Sequence, residues 1–185
     1  MSSQPGIIKL SVPVDISDHV RGAADAPVTL VQYGDYECPD CGRAYPMIKE
    51  IEKKLKTQLR FIFRHFPLMH VHPRALRAAE AAEAAGAQGR FWEMHDYLFK
   101  HQHALEDQHL SRYARKLGLD SARFDREMAE RVHATRIQEN YKKSLYVGGI
   151  TGTPTFYIND LRHNDSVNLE RMMAAVKRAI DGAPQ

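Results

Sequence analysis

Val28-Thr29-Leu30-Val31-Gln32-Tyr33-Gly34-Asp35-Tyr36-Glu37-Cys38-Pro39-Asp40-Cys41 joins an apolar run to a cysteine pair, the only cysteines in a chain of 185 residues. Residues 28–33 are rich in β-branched and aromatic side chains, the composition of a buried strand. Gly34 to Glu37 form a short connection. From Pro39 onward, Ala44, Met47, Ile48, Ile51 and Leu55 recur at helical spacing. Cys38 is therefore expected at or beside a helix N-cap, with Pro39 at the first helical position, where its missing N–H is no loss. Unpaired N–H groups and the positive end of the helix dipole then face the Cys38 sulfur. Such a setting stabilises a thiolate, the nucleophile of disulfide exchange. Cys41 follows one turn later, close enough to form a disulfide with Cys38.

Other chemistries for the pair are weaker fits. A CxxC is also half of a zinc site, but no second CxxC exists, so histidines would have to complete it. A purely structural disulfide closing so short a loop would constrain the unfolded chain little. Redox exchange is the leading expectation, ahead of metal binding and of inert thiols.

Working outward, residues 7–14 are expected to form an edge strand, which Pro13 suits, and residues 15–27 a polar connection. Pro46 should kink the first helix. Residues 59–66 alternate: Leu59, Phe61 and Phe63 share one face, while Ile62 and Phe66 lie on the other, as in a sheet covered on both sides. From Pro73 to about Tyr146 the pattern is helical throughout. Ala75–Ala85 is alanine-rich; Phe91, Trp92, Met94, Tyr97 and Leu98 outline a second helix, and Leu110, Tyr113, Ala114 and Leu117 a third, stopped by Gly118. Asp120 or Ser121 caps a fourth, carrying Phe124 and Met128. Val132, Ile137, Tyr141 and Leu145 outline a fifth. Residues 155–158 read as a strand, Asn159-Asp160 as a turn, residues 161–163 as a short partner strand, and 168–180 as the last helix.

This order, with Ala26-Pro27-Val28-Thr29-Leu30, Gly34-Asp35-Tyr36-Glu37-Cys38-Pro39-Asp40-Cys41, Arg64-His65-Phe66-Pro67-Leu68 and Gly152-Thr153-Pro154-Thr155-Phe156, resembles the DsbA-like branch of the thioredoxin superfamily. The resemblance covers nearly the whole chain. It implies an α/β thioredoxin-like fold formed by residues 1–66 and 148–185, with an all-helical cap inserted at 67–147. It implies that Cys38 and Cys41 are catalytic, that Thr153-Pro154 is cis and lies against them, and that Thr153 and Pro154 receive the backbone of an extended substrate. The activity implied is thiol–disulfide exchange with protein thiols or disulfides, without an organic cofactor, the pair being recycled by a reductase or glutathione. A non-catalytic module on the same fold, using the dithiol as a redox or metal-sensing switch, is the alternative; the resemblance includes units attached to membrane transporters.

Pro39 and Asp40, between the cysteines, are expected to tune the redox poise. Many relatives carry His, Tyr or Phe where this chain has Asp40, and an anion there should oppose a Cys38 thiolate and move the pair away from the strongly oxidising end. Asp35 and Glu37 would add to that field if they point toward the sulfur. Ten histidines include the pairs His70/His72 and His101/His103, near Asp107; they read as solvated loop residues rather than metal ligands. With 26 basic and 23 acidic residues, a net charge of +3 is too mild for nucleic-acid binding. No stretch is long and apolar enough to span a membrane. The first ten residues lack the basic and apolar regions of a signal peptide, so the expected location is the cytoplasm.

Overall fold

The computed structural model describes residues 8–164 and 167–182. A five-stranded mixed sheet organises them: β1 (His19–Arg21), β2 (Val28–Gly34), β3 (Leu59–His65), β4 (Thr155–Ile158) and β5 (Leu161–His163), in the order β1-β3-β2-β4-β5. β2 and β3 are parallel and are joined through α1 (Pro39–Leu55) and a short 3₁₀ turn. The other neighbours are antiparallel. Between β3 and β4 run α2 (Ala75–Gly86), α3 (Phe91–Lys100), α4 (Asp107–Lys116), α5 (Ser121–Ala129) and α6 (Ala134–Tyr146); α7 (Leu169–Asp181) closes the chain.

The two-faced pattern of β3 is realised. Leu59, Phe61 and Phe63 join a buried cluster that takes in α1, α7 and the side chains of α2 to α5. Ile62 and Phe66 join a smaller cluster with Val31, Tyr33, Ile150 and Tyr157, against which Tyr141 and Leu145 of α6 pack. β2 is central and buried on both faces, so its strand end is held rigidly where the chain enters the cysteine segment. α1 buries the six apolar positions of its periodic stripe, except that Cys41 replaces the first turn's aliphatic residue: Cys41, Ala44, Met47, Ile48, Ile51 and Leu55. Pro46 lies inside α1 on its exposed side. It leaves the Gly42 carbonyl without its usual helical donor, yet the helix continues to Leu55.

Local signals elsewhere work as their chemistry requires. Gly118 has φ +70° just past α4, Asp120 accepts from the Arg123 N–H at the start of α5, and Asn168 does the same for Arg171 at the start of α7. Two expectations fail. The edge strand is His19–Arg21, within the supposed connection, and the 7–14 segment contributes only a single bridge between Lys9 and Leu161; residue 7 lies outside the described residues. Tertiary contacts decide this. The Trp92 indole donates to the Val20 carbonyl at 3.1 Å, and Arg21 forks onto Glu52 at 2.5 and 2.7 Å. Val132 precedes α6 and is exposed, because Arg131 adopts φ +57° and breaks the helical run there. No helix among the described residues is long and apolar enough to cross a membrane.

Candidate active site

β2 ends at Gly34, whose Cα lies against the Phe63 ring so closely that a Cβ would overlap it. The turn that follows brings Cys38 to the N-cap of α1 with extended backbone (φ −70°, ψ 122°) and Pro39 at the first helical position. Both cysteines are free; Cys38 is 5% exposed and Cys41 fully buried. Cys41 accepts from the Asp35 N–H at 3.4 Å. Cys38 donates to the Thr153 carbonyl at 3.4 Å, across 115 residues of sequence. The Thr153–Pro154 peptide is cis. Thr153 and Pro154, with Asp40, Arg43 and Arg162, line an open cleft of about 420 Å³ beside the pair.

The two thiols are driven apart. A hydrogen bond from the Cys41 thiol, with contributions from the Thr153 side chain and the Cys41 backbone N–H, brings Cys38 down to about 6 against its burial and the Asp35 charge. Burial pushes Cys41 well above the ordinary thiol value, and the hydrogen bond and charge of Cys38 add to the rise. The backbone donor is the one the helix N-terminus leaves unpaired. One thiol is therefore poised to ionise near neutral pH while its neighbour holds its proton, the division of labour that exchange through a mixed disulfide requires.

Asp40 sits elsewhere electrostatically than the sequence suggested. Its side chain is 51% exposed and paired with Arg43, and it is not among the leading influences on Cys38. Asp35 is the acid that counts. Its carboxylate is fully buried and accepts from the N–H groups of Glu37 (2.8 Å) and Leu68 (2.9 Å), with His72 Nδ1 at 2.8 Å. Glu37 turns away from the sulfurs. It accepts from the Arg74 N–H at 2.6 Å at the start of α2, and pairs with the Arg74 guanidinium.

Gln102 was not singled out for this role. From the loop after α3 its amide donates to the carbonyls of Tyr36 (2.8 Å) and Cys38 (3.0 Å). Gly42 makes room, because a Cβ there would overlap the Gln102 side-chain oxygen. A solitary glutamine in a loop carries no sequence signal for a partner 64 to 66 residues away. The remaining histidine candidates disperse: His72 holds Asp35, His101 donates to the Tyr97 carbonyl at 2.8 Å and stacks on its ring, and Asp107 forks onto Arg77 at 2.9 and 2.8 Å.

Comparison with known proteins shows the family and the fold. A profile of the family described as Thioredoxin matches residues 15–178. A part of the Na(+)/H(+) antiporter NhaA 1 of Salinispora arenicola is 51% identical over 178 residues, covering 96% of this chain and 27% of that protein. A part of the Na(+)/H(+) antiporter NhaA of Herminiimonas arsenicoxydans is 37% identical over 174 residues, 94% of this chain and 27% of that protein. The chain spans about a quarter of the length of these curated relatives. Among solved structures, oxidised BdbD from Bacillus subtilis superposes with a TM-score of 0.80 at 23% identity, covering 95% of this chain and all (100%) of that one. A thioredoxin-like oxidoreductase from Silicibacter pomeroyi superposes with 0.77 at 28% identity, covering 91% and 95%. Alpha-DsbA1 from Wolbachia pipientis superposes with 0.78 at 20% identity, covering 92% and 94%.

Proposed function

Since this chain belongs to the thioredoxin family and carries the fold of its DsbA-like members, we propose that it is a thiol–disulfide oxidoreductase of protein substrates, working through Cys38-Pro39-Asp40-Cys41. The observation that carries this reading is the asymmetry of the pair: a Cys38 thiol brought down to about 6 beside a buried, protonated Cys41.

In the reducing direction the Cys38 thiolate attacks one sulfur of a substrate disulfide. That S–S bond breaks, a Cys38–substrate disulfide forms, and the expelled substrate thiolate takes up a proton. Cys41 then gives up its proton and attacks the Cys38 sulfur, releasing the second substrate thiol and leaving a Cys38–Cys41 disulfide. The reverse begins when a substrate thiolate attacks Cys38 of the oxidised pair, and Cys41 leaves. Thiolate stabilisation at Cys38 favours the reduced pair, which moves the balance toward disulfide donation. Thr153 and Pro154 receive the substrate backbone, a role supported by the Thr153 carbonyl at the Cys38 sulfur and by the cleft beside it. Pro39 tunes the pair by starting the helix at Cys38; Asp40 tunes it weakly from the surface.

Insulin reduction by dithiothreitol tests the activity. Catalysis should vanish in Cys38→Ser, while Cys41→Ser accumulates mixed disulfides. Turnover that survives Cys38→Ser overturns the assignment. The same reading places the pair in the cytoplasm, cycling against glutathione or a reductase. Alkylation trapping in cells should then recover Cys38 largely reduced; a permanently oxidised pair would refute that placement.

The similarity to a part of proteins named antiporters supports a second reading. There the domain is a non-catalytic module, and the dithiol is a redox or metal-sensing switch. Absence of insulin turnover together with one Zn²⁺ held by Cys38 and Cys41 would favour it.

A further inference from the structure

Away from the cysteines, three metal-ligating side chains converge where the sheet edge meets the helical block. β1 pairs antiparallel with β3 so that His19 stands opposite Phe63. Side chains two apart on a strand share a face, so His65 projects beside His19 as a diagonal cross-strand neighbour; the two rings lie 6.0 Å apart. α2 crosses this face. Its alanines, Ala78, Ala79, Ala81, Ala82, Ala84 and Ala85, are all buried and allow close approach. The same approach drives Glu83 into the interior, 5% exposed.

The donor atoms are focused on one point. Glu83 Oε1 lies 2.9 Å from His19 Nε2 and 3.1 Å from His65 Nε2, and all three ligand atoms fall within 4.8 Å of one another. Two ligands of a tetrahedral zinc ion, each about 2.0 Å from the metal, stand roughly 3.3 Å apart. The two separations from Glu83 Oε1 need an opening of only a few tenths of an ångström, and the two imidazole nitrogens lie within 4.8 Å of each other. His65 Nε2 is buried, and although Oε1 is near, it lies off the line a hydrogen bond needs, so that nitrogen has no hydrogen-bond partner. A buried polar atom left this way needs an explanation, and a bound ion is one that the neighbouring donors fit. Arg136 pairs with the other oxygen of the carboxylate, Oε2, leaving Oε1 to the two imidazoles. Its guanidinium opposes a cation, but the side chain is 46% exposed, so solvent screens part of that charge. A cavity of about 60 Å³ borders His19, His65, Glu83 and Arg136, which is room for a water as fourth ligand.

We propose that His19, His65 and Glu83 form a site for a divalent transition metal of the zinc class, closed by one water from the adjoining cavity. Two imidazole nitrogens and a carboxylate oxygen suit Zn²⁺ better than the oxygen-seeking Mg²⁺ or Ca²⁺. The metal would tie three elements at one point: edge strand β1, the end of β3, and α2. β3 ends beside the active-site segment, since the Phe66 N–H donates to the Gly34 carbonyl at 2.8 Å. The clamp would therefore stiffen the strand end from which Asp35 and Cys38 depart. It involves no cysteine and is independent of the thiol chemistry proposed above.

The test uses the full chain carrying Cys38→Ser and Cys41→Ser, so that zinc cannot bind the thiols. Calorimetric titration with ZnCl₂ should show one equivalent bound, and Zn²⁺ should raise the melting temperature. Glu83→Gln and His19→Asn in that background should each weaken binding by more than about tenfold, the lower end of what even outer-shell changes cost. Circular dichroism reports whether each variant folds. Should Glu83→Gln fail to fold, His19→Asn at the half-buried sheet edge decides. No stoichiometric uptake, or binding unchanged in His19→Asn, overturns the site; the second result would place the metal on another histidine pair.

Discussion

Asp35, in the turn before Cys38, is fully buried and held by two backbone N–H groups and a histidine, whereas Asp40, in the first turn of α1, is half exposed and paired with Arg43. Both stand within three residues of the nucleophile. Only Asp35 figures among the leading influences on Cys38, pushing its thiol up against the hydrogen bonds that bring it down. The contrast shows that distance along the chain is a poor guide to electrostatic influence. A charge facing water is screened; one enclosed by protein acts through a lower dielectric. Asp35 also has a structural task that Asp40 lacks: its oxygens tie the cysteine turn to the Leu68 backbone and to His72.

The largest effect is expected from Asp35→Asn. An amide in that position cannot accept from both the Glu37 and Leu68 N–H groups and also satisfy His72. Denaturant unfolding should show a loss of ~2–4 kcal/mol. In the folded fraction, removal of the negative charge should lower the Cys38 thiol further, seen as a thiolate-absorbance midpoint below that of the unaltered protein. A midpoint that rises instead would break the comparison.

The pH dependence of the reduced protein comes next. The Cys38 thiol is depressed from its ordinary value to about 6 in the folded state. Its contribution to stability is therefore fully present above the ordinary thiol value and lost as pH falls through about 6. The stability gap between reduced unaltered protein and Cys38→Ser should shrink on acidification across that range. Iodoacetamide should modify Cys38 with a half-maximal rate near the same pH and leave Cys41 untouched. Faster alkylation of Cys41 would reverse the roles assigned to the pair.

Gln102→Ala tests whether the helical block helps to hold the site. Two hydrogen bonds to the Tyr36 and Cys38 carbonyls are lost, which should cost about 1–2 kcal/mol and slow disulfide exchange. Unchanged exchange with unchanged stability would show that α1 alone fixes the turn.

The smallest effect belongs to Asp40. Asp40→Asn should alter stability by less than about 0.5 kcal/mol and leave the Cys38 titration nearly in place. Asp40→His should make the disulfide only slightly more oxidising in a glutathione equilibrium. A shift matching that of Asp35→Asn would erase the distinction between the two carboxylates.

What was legible in the sequence follows the range of each interaction. The placement of Cys38 at a helix start, the two faces of β3 and the caps at Gly118, Asp120 and Asn168 each depend on residues a few positions apart. The β1 edge was not legible: a three-residue strand carries almost no periodicity, and its anchors are Trp92 and Glu52. Gln102 and His72 lie in loops beside the helices, and nothing in their neighbourhoods marks them as supports of the cysteine turn.

By itself, then, the chain's pattern determined the run of elements from β2 onward and the helix start at Cys38, because hydrophobic period, capping and turn chemistry are local and repeat along the chain, while the thioredoxin-like class came from the resemblance carried by the cysteine segment and Gly152-Thr153-Pro154. The tertiary structure alone decided which charge reaches the Cys38 thiol, which loop braces it, and that His19, His65 and Glu83 share one point, since Coulomb and hydrogen-bond energies depend on burial and on separations set only when elements far apart in sequence pack together.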